Sequence, residues 1–214
     1  MNIAARPVGR EVTSEFEWRT RCDLAALYRL VAHHRWTDFI YTHISARLPG
    51  PEHHFLINKF GVNFQEIRAS DLVRIDLDGR VVEDSDKTSR DVNVAGFTIH
   101  SAIHMARPDL LCVVHTHSSA GIAVSAMRDG LLPLSQHAMK FYNRLGYHDY
   151  EGIALNADEK ARLVHDLGDN MMMLLRNHGT LTVGRTAADC WTHMFYLERA
   201  CKQQVMALTV GRSR

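Results

Sequence analysis

Five apolar residues, Leu110-Leu111-Cys112-Val113-Val114, run without a break into His115-Thr116-His117. A short and wholly apolar run reads as a buried strand, and in a strand residues i and i+2 point to the same side. If the strand conformation continues to the end of the run, the two imidazoles face one point in space, as the arms of a metal clamp would. By itself His-x-His is served equally well by two solvated residues at a strand end. A second apolar run, Met171 to Leu175, leads into the polar turn Arg176-Asn177-His178-Gly179, where glycine permits a sharp turn or a close backbone approach. Ligands of sheet-based α/β domains gather beyond strand ends. A third imidazole from a neighbouring strand would complete a three-histidine site with one open position, a catalytic rather than a structural design. Neutral imidazoles suit zinc, iron, cobalt or nickel better than magnesium or calcium, which prefer oxygen.

The elements around these strands predict one domain over residues 1–214, with residues 1–14 as a flexible arm. Leu24, Leu27, Tyr28 and Val31 make the apolar stripe of a helix over Glu15 to Arg35. Strands are expected at Phe39–Leu48, His54–Asn58, Leu72–Ile75 and Arg80–Val82, and their short links force antiparallel pairing. Asp84 to Arg90 reads as a charged loop. Helices follow at Gly96–Ala106, Ser118–Met127 and Asp158–Leu167, and a last one starts near Thr186 with Ala187, Trp191, Met194, Cys201 and Val205 at helical spacing. Helices on both faces of a mixed sheet are the expected arrangement, an α/β fold.

Charge and hydropathy exclude several functions. Lys and Arg number 25 against 24 Asp and Glu, a net charge of +1, so no strong positive field exists to hold nucleic acid or an anionic membrane. No apolar run approaches the ~20 residues of a membrane helix. Met1 to Glu15 lacks the apolar stretch of a secretory signal, and the four cysteines lack CxxC spacing, so reduced core thiols and a cytoplasmic setting are expected.

Histidine is abundant, at 14 residues. His100 and His104, at i and i+4, form a rival pair on one helix face, but apolar neighbours place at least one of them beneath the site as a hydrogen-bonding group. His33-His34 and His53-His54 diverge as adjacent residues do and read as surface. The three tryptophans and nine methionines read as core.

Several runs taken together resemble the class II aldolase and adducin head-domain family. They are Tyr41-Thr42-His43-Ile44-Ser45-Ala46-Arg47, Phe55-Leu56-Ile57-Asn58, Gly96 to His104, Ala106-Arg107-Pro108-Asp109, Val113-Val114-His115-Thr116-His117 and Asn177-His178-Gly179-Thr180, spread from about Arg21 to about Thr209. The resemblance implies a three-layer αβα sandwich around a mixed, largely antiparallel central sheet. It also implies a homotetramer with sites near subunit contacts. One divalent metal per subunit is expected on His115, His117 and His178, zinc first, with iron, cobalt, nickel or manganese as alternatives.

The departures from the family are as informative. Sugar-phosphate aldolases of the family carry Ser-Ser-Glu, for phosphate and for proton transfer, where this chain has Val94-Ala95-Gly96. His43 stands where they place a substrate-touching Asn. Asn58, Lys59, Gly61 and His43 remain as substrate-binding candidates, with Lys59 as one ammonium for an anion. His137, near a family Tyr that acts as acid, and His100 are the catalytic candidates for returning a proton. Tyr142, Tyr147, Tyr150 and Glu151 line a pocket or pack a loop.

Three functions follow. The first is a metal-dependent carbon–carbon lyase, cleaving or decarboxylating a small non-phosphorylated hydroxy-, keto- or aromatic acid. The second is an adducin-like oligomeric scaffold that binds protein without turnover, since the glycine version resembles the adducin branch. The third is Fe(II)-dependent oxygen chemistry on the same three histidines.

Overall fold

The computed structural model describes residues 14–82, 92, 94–152 and 157–211. The expected arm and the charged loop at Asp84 to Arg90 lie outside the described residues, apart from Ser14. The first helix, α1 (Glu15–His33), starts where the Ser14 side chain accepts the Glu17 N–H at 3.1 Å, which satisfies one of the donors that a helix leaves unpaired at its first turn. Three short strands follow: β1 (His43–Arg47), β2 (Phe55–Ile57) and β3 (Val73–Ile75). Then come α2 (Val94–Ala106), β4 (Cys112–Thr116), α3 (Ser119–Ser125), α4 (Gln136–Met139) and β5 (Gly146–His148). The chain ends with α5 (Ala157–Leu167), β6 (Met172–Leu175), β7 (Gly179–Gly184) and the long α6 (Ala187–Thr209).

Among the described residues seven strands form one sheet in the order β3-β2-β1-β4-β7-β6-β5. Neighbours pair antiparallel except β5 with β6, which are parallel. Helices cover both faces. On one side α1 and α6 pack on Ile44, Ala46, Leu56, Cys112 and Val114, and α3, α4 and α6 pack on Met172 and Leu174. On the other side Ile99 and Ile103 of α2 and Leu163 and Leu167 of α5 meet Val113, Leu181, Val183 and Met173. This is the expected three-layer arrangement around a mixed, largely antiparallel sheet. Each fully buried aliphatic side chain contributes roughly 1.5–3 kcal/mol, and β4, covered on both faces, is apolar from Cys112 to Val114 for that reason.

Several boundaries differ from the sequence reading. The first strand begins at His43 rather than Phe39, because Phe39 takes φ +49° and lies exposed, a conformation that no strand continues through. Arg80 to Val82 makes a single bridge, Ile75 to Val81, rather than a strand. Strand β4 runs on to Thr116, so the pleat does carry the alternation past His115. Strand β5 and the one-turn α4 have no counterpart in the sequence reading; both are too short to leave a periodic signal.

The register brings one end of the sheet to a focus. His43 lies opposite His115, Thr116 opposite Thr180, Leu175 opposite Gly179 and His148 opposite Leu175. Ser45 pairs with Ile57, so Asn58 and Lys59, which follow β2, emerge beside the start of β1.

Candidate metal centre

At this end of the sheet one donor nitrogen from each of His115, His117 and His178 lies within 4.8 Å of the others. The rings are edge-on or tilted, with centroids 4.7 Å apart for His115–His117 and for His115–His178, and 4.8 Å apart for His117–His178. His115 comes from the body of β4, His117 from just beyond it and His178 from the β6–β7 turn. That turn depends on two backbone features. Asn177 takes φ +56°, a left-handed conformation that Asn tolerates better than most residues. A Cβ on Gly179 would lie 2.4 Å from the Thr116 carbonyl oxygen and 3.3 Å from His117 Cδ2. Only glycine lets β7 come this close and bring His178 alongside.

The hydrogen bonds assign the tautomers. The Nδ1 of His115 lies 2.9 Å from the Thr180 carbonyl oxygen, and that of His117 lies 2.9 Å from Asp38 Oδ2. Both partners can only accept, so both Nδ1 atoms carry protons, and in neutral rings both Nε2 atoms then present lone pairs. Those two Nε2 atoms are 2.9 Å apart. Two facing lone pairs repel unless positive charge, a shared proton or a cation, lies between them, and one cation with metal–nitrogen bonds of ~2.0–2.1 Å can touch both. The carbonyl and the carboxylate behind the rings are the kind of partners that orient metal-binding histidines. Burial holds His115 well below the ordinary histidine pKa, with His178 and His117 adding to the effect. Burial, then the neighbouring His117 and His148, lowers His178 to about 4. Their imidazoles are thus neutral, as ligands must be. The donor set therefore fits one divalent cation of the imidazole-loving kind.

Below this cluster lies a second group of histidines, on the same face of the sheet and closed off by α2. His43 Nδ1 is 2.8 Å from His100 Nε2, His100 Nδ1 is 2.6 Å from Ser45 Oγ, and Ser45 Oγ is 2.8 Å from His104 Nε2. All four residues are buried. The His43 ring lies beside His115, centroids 5.1 Å apart, and so joins the chain to the cluster. Burial, before any neighbour, pushes His43 and His100 well below the ordinary histidine value and His104 to about 3. The chain is therefore made of neutral rings. A Cβ on Gly96 would lie 2.5 Å from His43 Cδ2 and 2.6 Å from Cγ. The glycine in α2 is what leaves room for this imidazole.

The other sequence candidates are placed as follows. Asn58 is buried and occupied by Tyr28, whose hydroxyl contacts its Oδ1 and its N–H, each at 2.9 Å. Lys59 and Gly61, the latter at φ +85°, follow at the same end of the sheet. His137 sits on α4, its Nδ1 on Gln203 and its ring stacked on Tyr196; among the described contacts none joins it to the three-histidine cluster. Tyr150 lies edge-on to His178 at 6.3 Å, and Glu151 pairs with Arg162. A narrow cleft of about 10 Å³, room for roughly one water, lies beside His178, walled by Ile99, His148, Tyr150, Glu159 and Leu163.

Sequence reasoning missed Asp38, Ser45 and Glu198. Nothing local marks the first two. Glu198 did leave a signal: it falls on the apolar stripe of α6, four residues after Met194 and three before Cys201, where a carboxylate is out of place.

A mixed sheet between helical layers, with imidazoles converging beyond its strand ends, is the fold of the class II aldolases. The chain belongs to the class II aldolase and adducin N-terminal domain family, whose model matches residues 22–205. An aldolase II superfamily protein from Pseudomonas syringae has a solved structure that is 55% identical, with a TM-score of 0.90 over 94% of this chain and 80% of that one. L-fuculose 1-phosphate aldolase from Glaciozyma antarctica is 31% identical, with a TM-score of 0.82 over 98% of this chain and 81% of that one. Alpha-adducin of Rattus norvegicus is 44% identical over 88% of this chain, but the match spans only 25% of the adducin. Among the described residues no helix is long and apolar enough to cross a membrane.

Proposed function

We propose that this protein is a divalent-metal-dependent carbon–carbon lyase, with His115, His117 and His178 as ligands and zinc as the metal. Its reaction is aldol cleavage or decarboxylation of a small non-phosphorylated hydroxy-, keto- or aromatic acid. The observation that carries the reading is the pair of imidazole lone pairs facing each other at 2.9 Å, with a third imidazole beside them. When bound, the cation would act as a Lewis acid, drawing charge from a carbonyl or carboxylate oxygen as the carbon–carbon bond breaks.

The chain's own residues supply the rest. His100 has both nitrogens occupied, one by His43 and one by Ser45, so it reaches substrate only through His43. His43, anchored through Nδ1, is left to receive or return a proton at Nε2. Lys59 and Gly61 line the neighbouring strand end, where one ammonium can hold a carboxylate. Asn58 shapes that end by holding Tyr28 and does not contact substrate itself. His137 is given no step. Val94-Ala95-Gly96 offers no side-chain hydroxyl to a phosphate. The working unit is a homo-oligomer, taken as a tetramer from the family, in the cytoplasm, where Cys22, Cys112, Cys190 and Cys201 would stay reduced.

Metal analysis tests the site. Wild-type protein should hold one equivalent of zinc or cobalt, and His178→Ala should bind at least ~100-fold more weakly, since losses at supporting residues alone reach that size. Equal uptake by the variant would remove the assignment. Aldehyde or carbon dioxide release from a panel of small acids then reads the reaction, and oxygen uptake with iron but not zinc would point instead to an oxygenase.

One observation favours a second reading. The chain is closer in sequence to alpha-adducin, at 44%, than to the fuculose phosphate aldolase, at 31%. An oligomeric scaffold without turnover would recover a stoichiometric protein partner when stripped of metal.

A further inference from the structure

A single buried carboxylate sits behind the three histidines, on the opposite face of the sheet. Glu198 of α6 is 2% exposed. Its Oε1 accepts from Thr116 Oγ1 at 2.8 Å and from Thr180 Oγ1 at 2.8 Å, and its Oε2 accepts from Ser118 Oγ. The two threonine hydroxyls also touch each other at 2.7 Å. These three donors are not scattered. Thr116 lies between His115 and His117, Ser118 follows His117, and Thr180 lies two residues after His178. The Thr180 carbonyl oxygen is also the group that orients His115. Every segment that carries an imidazole of the cluster is therefore tied to the same carboxylate.

The surroundings are shaped to let it in. A Cβ on Gly121 would lie 2.7 Å from Thr180 Cγ2, 2.9 Å from Ser118 Oγ and 3.3 Å from Glu198 Oε1. Ser118 has one proton to give, and it goes to Glu198, while its oxygen accepts the Gly121 N–H at 2.9 Å. Burial raises the Glu198 pKa against the three hydroxyl bonds that lower it. An apolar residue would continue the stripe of Met194, Leu197 and Cys201 with no such cost, so what the carboxylate does is set by its three partners.

We propose that Glu198 is a positioning residue for the metal centre, holding the ends of β4 and β7 through Thr116, Ser118 and Thr180 so that the three imidazoles converge. The proposal rests on the metal-site reading above. Glutamine keeps the shape but replaces one acceptor oxygen with a donor, so three hydroxyls can no longer all donate.

Cobalt(II) added to full-length metal-free protein is the probe, read by affinity and by its visible absorption. In folded Glu198→Gln the cobalt affinity should fall 10–100-fold, and the absorption band should change in position or intensity. A merely structural stitch would lower the urea midpoint and leave both cobalt readouts where they were; affinity within twofold of wild type, with an unchanged spectrum, overturns the proposal. Should Glu198→Gln not fold, Thr180→Val removes one donor only and should weaken cobalt about tenfold, with the same reversal if it does not. Wild-type protein that takes up no cobalt would overturn the metal site and this proposal together, whereas normal wild-type uptake with a silent Glu198→Gln defeats this proposal alone.

Discussion

The imidazoles of His115, His117 and His178 sit at the strand ends with nitrogens converging on one point, while those of His43, His100 and His104, one layer deeper, spend theirs on one another and on Ser45. Residue type and sheet face are the same for both groups. What differs is the destination of the second nitrogen. In the outer group the far nitrogens of His115 and His117 are tied back to a carbonyl and a carboxylate, which leaves the near ones for a ligand. In the inner group His43 Nδ1, both nitrogens of His100 and Nε2 of His104 face other side chains along a chain, and nitrogens so engaged can fix a side chain or pass a proton but are not open to a cation. Counting histidines does not separate these uses; following each nitrogen to its partner does.

That contrast can be broken from the inner side first. Gly96→Ala puts a Cβ within 2.5 Å of the His43 ring, which must then leave its place. The expected cost is about 3 kcal/mol, the upper part of the range for overpacking a core. It should appear in urea denaturation together with loss of the downfield ring-proton signals of His43 and His100. A variant as stable as wild type would mean that the inner chain is loosely held.

The next effect is a pH dependence. His104 is held at about 3 against 6.5 for an ordinary histidine, by burial first and Arg47 second. Between those values the unfolded chain binds a proton that the folded one refuses, so stability is full above the unfolded pKa and is lost as pH falls through the window. From pH 7 to pH 5 this one residue should remove about 2 kcal/mol, at 1.36 kcal/mol per pKa unit. In metal-free protein, His104→Phe should show a pH 7 to pH 5 loss smaller by that amount, measured from urea midpoints. An unchanged slope would assign the acid sensitivity to other groups.

The smallest effect belongs to the outer group. Asp38 is about half exposed and holds His117 Nδ1. Asp38→Asn should weaken zinc or cobalt about tenfold, the low end for a supporting partner, with little change in stability. A loss as large as that of His178→Ala would mean that Asp38 touches the metal itself.

Much of this site was legible before folding. His115 and His117 were paired by the period of a strand, and His178 was marked by an apolar run ending in a glycine turn. The apolar helix neighbours of His100 and His104 pointed to at least one of the pair lying beneath the site, and both lie there on Ser45. All of these are signals within about ten residues. His43 was singled out as a substrate contact, but its bond to His100, 57 residues away, could not be read from any local pattern. The same holds for Asp38 with His117 and for Glu198 with Thr116, which are 79 and 82 residues apart. The one-turn α4 and three-residue β5 were too short to show a period.

The sequence by itself therefore determined the layers of the fold, the strand that presents two histidines and the turn that presents the third, because periodicity and turn chemistry are properties of neighbouring residues. Only the tertiary structure decided which nitrogens face outward and which are used up. That choice depends on strand register and on helices packed from both faces, and these are set by the burial of the whole core rather than by any one segment.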